Sequence, residues 1–175
     1  MSFLSRILGQ SRIFSGREDE RASARPLWHR IVAMAREPRW YAQYGIADTV
    51  AGRFDAVTLI LSIALLRMER EQSLIEPSVR LTEIFIEDMD GQLRQSGVGD
   101  IVVGKHIGRL MSVLGGRLGA IRDALPQGNA ALAEVIRRNV TLAEDADPAG
   151  VAQEAMSFFR QLDKLPADDV LNARF

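Results

Sequence analysis

GVGDIVVGKHIGRLMSVLGGRLGAIRDAL, residues 97–125, begins like a nucleotide-binding loop and continues like a helix. Its first ten residues nearly spell a phosphate-binding loop. Gly99, four residues, Gly104 and Lys105 fit the pattern G-x-x-x-x-G-K-[ST], but His106 stands where a Ser or Thr would hold magnesium. Such a loop also follows a β-strand. The residues before this one instead place Leu81, Ile84, Phe85, Ile86, Met89 and Leu93 on one arc of a helix wheel. Ile101, Val102 and Val103 read as the first turn of another helix, with Asp100 as its cap and Pro126 as its stop. The segment is a helix–turn–helix junction, with Gly97 just past the end of the first helix. The nucleotide-binding reading fails.

On a wheel of 100° per residue, the helix after the junction has two unlike faces. Val103, Ile107, Leu110, Met111, Leu114, Leu118, Ile121 and Leu125 make one broad apolar face. Gly104, Gly108, Ser112, Gly115 and Gly119 fall opposite. Each interior glycine costs a helix about 1 kcal/mol relative to alanine, so the stripe needs a compensating reason. Small residues four apart let a second backbone approach closely. The expectation is that another helix of the same domain covers the stripe and makes this helix central. The alternative is an open groove for a partner's helix, with Lys105 and Arg109 at its margin.

Working outward, the same periodicity recurs and no alternating strand appears. Pro26 and Pro38 bracket a helix, and "RWYAQYGIAD" follows as an aromatic loop. Trp28, Trp40, Tyr41 and Tyr44 cluster there, with core packing as their expected job. Asp48 is a candidate cap for a helix to about Glu71, whose middle, "AVTLILSIALL", is apolar nearly all round and belongs at the centre of a bundle. Pro77 opens the helix that ends near Gln95. Further helices are expected at about 129–142, 148–163 (capped by Asp147) and 166–173. The fold class is all-α, a single globular bundle of about six to seven helices over residues 26–175. Residues 1–25, with arginines at 6, 12, 17, 21 and 25, read as a mobile basic arm.

Composition narrows the function classes. At 175 residues, with 47% hydrophobic and 26% charged residues, the chain has the make-up of one soluble domain. The net charge of -1 argues against a strongly basic, sequence-specific nucleic-acid binder. The charge is uneven: residues 1–53 hold nine arginines against five acids, so this third is the side suited to an acidic surface such as ribosomal RNA or anionic lipid. There are no cysteines, and His29 and His106 are the sole histidines, so neither a thiol nucleophile nor a Cys/His metal site is available. No cofactor is implied. The longest apolar run, Val57 to Leu66, is half of the roughly 20 residues that span a bilayer. These features point to a cytoplasmic protein, peripheral at most to the inner face of the membrane.

Three charged residues fall on apolar faces: Asp88, Arg53 and Arg117. A buried carboxylate requires a partner, so an ion pair of Asp88 with Arg53 or Arg117 is expected to lock two helices. No nucleophile or general base accompanies it, and nothing else in the chain assembles a catalytic set. His106, alone at the edge of an apolar face, reads as a half-buried structural residue. The protein is expected not to be an enzyme.

The run "IFIEDMDGQLRQSGVGDIVVGKHIGRLMSVLGGRLGAIRDAL" resembles, as a whole, the ubiquinol–cytochrome c chaperone family of respiratory complex III assembly factors. The elements that carry the resemblance are Asp88-Met89-Asp90, Arg94, Gly97-Val98-Gly99-Asp100, Gly104-Lys105 and Gly116-Arg117, with "YGIADTVAGRFDAVTL" upstream. It covers about residues 26–142. The chain departs from the family pattern at Ile121, where an aromatic is expected. The resemblance implies a non-enzymatic helper that binds newly made cytochrome b. Mitochondrial members do so beside the ribosome with a small second assembly factor. Asp90, Arg94, Gly97, Gly99, Asp100, Gly104, Lys105, Gly108 and Arg109 become the partner-binding candidates. The competing reading is a small helical adaptor whose Arg-rich N-terminal region binds a ribosome or an anionic membrane surface.

Overall fold

The computed structural model describes the backbone of residues 18–95 and 100–175, and the side chains of 23–92 and 108–175. Among the described residues the chain is a bundle of six helices of eleven residues or more, with two five-residue helices. They are α1 (Glu18–Ala35), α2 (Pro38–Ala42), α3 (Val50–Met68), α4 (Ile75–Gln95), α5 (Asp100–Ala124), α6 (Asn129–Asn139), α7 (Pro148–Asp163) and α8 (Ala167–Leu171). Two single 3₁₀ turns, Gln72–Leu74 and Leu125–Gln127, finish the links before α4 and α6. The all-α expectation holds, and α4 and α5 end and begin beside the suspected phosphate loop with no strand before it.

The apolar helix α3 sits at the centre, touching α1, α4, α5 and α7. All eleven residues from Thr58 to Met68 are buried. α1 lies mainly on α4, and α6 pairs with α7. No helix among the described residues is long and apolar enough to cross a membrane. The polar groups within this core are satisfied locally. The hydroxyls of Thr58 and Ser62 donate to the carbonyls of Phe54 and Thr58, one turn back. Buried Arg67 donates Nε to the Leu162 carbonyl at 3.0 Å and Nη2 to that of Leu165 at 2.8 Å, tying α3 to the C-terminal end of α7.

Several boundaries differ from the sequence reading for identifiable reasons. Pro26 lies inside α1 rather than at its start. An interior proline removes one helical hydrogen bond and costs roughly 3 kcal/mol. The buried stripe Ala24, Leu27, Trp28, Ile31, Met34 and Ala35 begins before it, so packing carries the helix through. The proposed arm therefore loses its inner end to the bundle: residues 18–25 are helical, and Ala24 is in the core. Residues 1–17 lie outside the described residues. The cap of α3 is Thr49, whose hydroxyl accepts from the Gly52 amide at 3.1 Å; Asp48 instead engages Arg53 at 2.7 Å. Asp147 caps α7 as expected, accepting from Ala149 at 2.9 Å, with Pro148 at the first position.

The aromatic cluster packs as expected and does a further job. Trp40 Nε1 donates to the Met34 carbonyl at 2.8 Å, and the Tyr41 hydroxyl to that of Ala35 at 2.6 Å. These side chains take up the last carbonyls of α1, which have no intrahelical donor. Partial burial raises the Tyr41 phenol above its ordinary value.

The expected ion pair is wrong in its acid. Asp88 is exposed, and Arg53 lies at the surface against Asp48. The apolar arc of α4 is narrower than the wheel assumed: Leu81, Ile84 and Phe85 are buried, while Ile86 and Met89 are only partly so. Asp88, on their margin, keeps its water. Arg117 does form a buried pair, but with Asp55. The glycine face of α5 departs from expectation too. Met111, Leu114, Leu118, Ile121 and Ala124 enter the core; of the stripe, Gly108 and Ser112 are exposed, Gly115 and Gly119 are half-buried, and neighbouring Gly116 is exposed. A methyl group built on Gly108, Gly116 or Gly119 would meet no described atom within 4 Å beyond the helix's own backbone. Among the described residues α3, α4 and α6 are the helices that touch α5, and none of them closes over Gly108 or Gly116.

Candidate functional site

The region beside the open face of α5 is built from the start of α3 upward. After α2 the chain turns at Gly45 (φ +78°), a left-handed backbone that favours glycine. A Cβ there would also stand 2.5 Å from that of Ala146. An isolated antiparallel bridge then ties Ile46 to Leu142, with Ala47 donating to Thr141 and Ala143 to Gly45, both at 2.9 Å. Two turns on, Gly52 lies so close beneath this segment that a Cβ would fall 1.9 Å from the Ala47 carbonyl oxygen. The glycines of "YGIADTVAGRFD" thus let a loop fold flat onto the first turn of α3.

That close approach sets Asp55 against two other elements. Its Oδ2 accepts from the Thr141 amide at 2.8 Å and the Thr141 hydroxyl at 2.7 Å. Its Oδ1 accepts from Arg117 Nη2, and Arg117 Nη1 reaches the Thr58 hydroxyl. The Arg117 guanidinium lies 5.8 Å from the centre of the Phe54 ring. Asp55 is 5% exposed. A carboxylate this deep is tolerable because one cation and three hydrogen bonds surround it. The cluster ties α3, α5 and the chain after α6 to one point.

Above the cluster a groove of about 580 Å³ opens to solvent. Phe54 and Asp55 form one wall, Ser112, Val113 and Gly116 the other, and Arg138 to Thr141 the end. Val50, 89% exposed, projects from the same end of α3 and is the most exposed large apolar residue among those described. Arg109 and Arg138 are both exposed. The neighbouring Glu134 is engaged by Arg137, which holds its carboxyl below the ordinary range. The surface presents small and apolar groups edged by arginine. It holds no arrangement for bond-making chemistry.

The sequence-derived candidates distribute unevenly around this site. Gly108 and Arg109 lie on the open face of α5. Asp90 lies half-buried on α4. Arg94, Asp100, Gly104 and Lys105 fall within the helical backbone of α4 or α5, but their side chains, like that of His106, lie outside the described residues. Gly97 and Gly99 lie outside the described residues altogether. Among the described residues no cluster of His, Cys, Asp or Glu could hold a metal ion. Sequence reasoning missed Asp55, Phe54, Arg138 and Thr141. A signal for Asp55 existed: Asp55, Thr58 and Ser62 form a polar seam at i, i+3 and i+7 along an otherwise apolar helix.

Comparison with known proteins adds an independent line. The family model described as ubiquinol-cytochrome C chaperone matches residues 42–175, from the turn before Gly45 through α8. Among solved structures, the chain is similar to that described as the crystal structure of the Cbp3 homolog from Brucella abortus. The TM-score is 0.77 and the identity 29%, over 89% of this chain and 90% of that one. No curated protein matches the chain significantly.

Proposed function

Because the chain belongs to the ubiquinol–cytochrome c chaperone family, we propose that it is a non-enzymatic assembly chaperone for ubiquinol–cytochrome c reductase that binds newly made cytochrome b. In this reading it works at the cytoplasmic face of the membrane and holds its client on the open face of α5 and the groove beside it. A single observation supports that placement: three glycines that destabilise α5 have no packing role among the described residues. Each gives up about 1 kcal/mol of helix propensity relative to alanine. At Gly108, Gly116 and Gly119 an added methyl would meet no described atom within 4 Å beyond the helix's own backbone. An apolar client segment could lie close to the helix backbone there, as small-residue stripes allow between membrane helices.

The test is a deletion strain complemented with wild-type or Gly116→Leu protein. Loss of the b-type heme spectrum on deletion, restored by wild type, supports the chaperone role. Failure of Gly116→Leu to restore it, with a melting temperature no lower than that of wild type, supports the placement. A normal heme spectrum in the deletion strain would refute the function. Full rescue by Gly116→Leu would refute the site.

A further inference from the structure

Resting on that placement, we infer that the groove selects apolar helices that carry carboxylates beside a small-residue face, through Arg109 and Arg138. α5 offers a partner a helix face and no strand edge. Its backbone amides and carbonyls are bonded within the helix, so it provides no edge for an added strand. It does provide the row Gly108, Ser112, Gly116, one residue per turn, along which another helix can lie at short distance. The size of the groove agrees. Two turns of helix, roughly 11 Å long and 10 Å across, occupy about 850 Å³. The groove's 580 Å³ is less than that, so a helix rests on the surface and lowers only part of its side chains into the groove. Val113 and Phe54, on opposite walls, give those side chains apolar contacts.

Charge then decides which helices fit. The buried charges of the site cancel, because Asp55 is matched by Arg117. The exposed charges do not. Arg138 gives its Nε–H to the Glu134 backbone carbonyl, while the Glu134 carboxylate pairs with Arg137. Arg109 stands one turn before Ser112 and Val113 on the open face and forms no ion pair among the described residues. An occupant with acids flanking its narrow face meets two guanidiniums suited to carboxylate geometry. One with lysines there meets like charge in a partly desolvated groove. The groove thus discriminates by rejection as well as by attraction.

The probes are three synthetic 20-residue Leu/Ala helices with Gly or Ser at every fourth position. They differ in the residues flanking that row: Glu, Gln or Lys. Binding to the full chain is followed by fluorescence anisotropy in a non-ionic detergent. The Glu peptide is expected to bind more tightly than the Gln peptide by about two- to fivefold per carboxylate, the scale of exposed ion pairs, and the Lys peptide most weakly. The preference should shrink with added salt. The double variant Arg109→Glu/Arg138→Glu, at exposed positions that leave the fold intact, should invert the order in favour of Lys. Equal binding of Glu and Gln peptides, or an order unchanged in the double variant, overturns the inference, as does failure of all three to bind. If the peptides show no charge preference while Gly116→Leu still blocks complex assembly in cells, the client site stands and the selection by carboxylates falls.

Discussion

Replacing Asp55 by alanine should be among the most damaging single changes in this protein, although the position contributes nothing to an apolar core. The substitution removes one charge-assisted bond from Arg117 and two bonds from Thr141, and it strands a guanidinium whose side chain is only 13% exposed. Breaking a buried pair from one side costs about 3–5 kcal/mol, mostly the penalty of the uncompensated partner. In a domain of this size each kcal/mol moves the melting temperature by about 2–4 °C, so a fall of roughly 6–20 °C is expected. Urea unfolding followed by circular dichroism measures it, with an unchanged slope confirming that stability and not compactness has altered. Asp55→Ala/Arg117→Met should recover part of the loss, because no charge is left stranded. Asp88→Ala, on exposed ground, should stay within about 0.5 kcal/mol of wild type. A loss below about 1 kcal/mol in Asp55→Ala, or equal effects at positions 55 and 88, would refute the assignment of the helix-locking carboxylate.

The glycines separate into two opposite kinds. Gly116→Ala and Gly119→Ala should stabilise the chain by up to about 1 kcal/mol each in thermal melts, since the new methyl meets nothing and helix propensity improves. Gly52→Ala should instead destabilise it by more than that gain, because the Ala47 carbonyl must move for the methyl to fit. Truncation divides the N-terminal region similarly. A chain starting at residue 18 should melt close to the full protein, whereas one starting at residue 26 loses Ala24 and the first turns of α1 and should melt lower.

How much was legible can be judged element by element. The apolar periodicity of residues 50–68 and 100–124 was sufficient to assign helices and to name Leu114, Leu118 and Ile121 as core, because one helix wheel contains that information. Asp147 and Pro148 announced the start of α7 for the same reason: a cap is a contact between residues two or three apart. The family resemblance was equally readable, since a long run of motif residues is a property of the chain itself.

Three things were decided by tertiary structure. Which acid meets Arg117 depends on how α3, α5 and the segment after α6 converge, and Asp55 and Thr141 are 86 residues apart in the chain. Whether a helix opens at Pro26 or runs through it depends on the apolar surface waiting for α1, since packing can outweigh a local cost of a few kcal/mol. Whether a glycine stripe is covered depends on where the other helices lie; at Gly108, Gly116 and Gly119 an added methyl would meet no described atom outside the helix's own backbone. Periodicity tells which side of a helix seeks the core, because burial of apolar surface is favourable wherever it occurs. It is silent on what stands opposite the other side, and in this protein that open side is the proposed site.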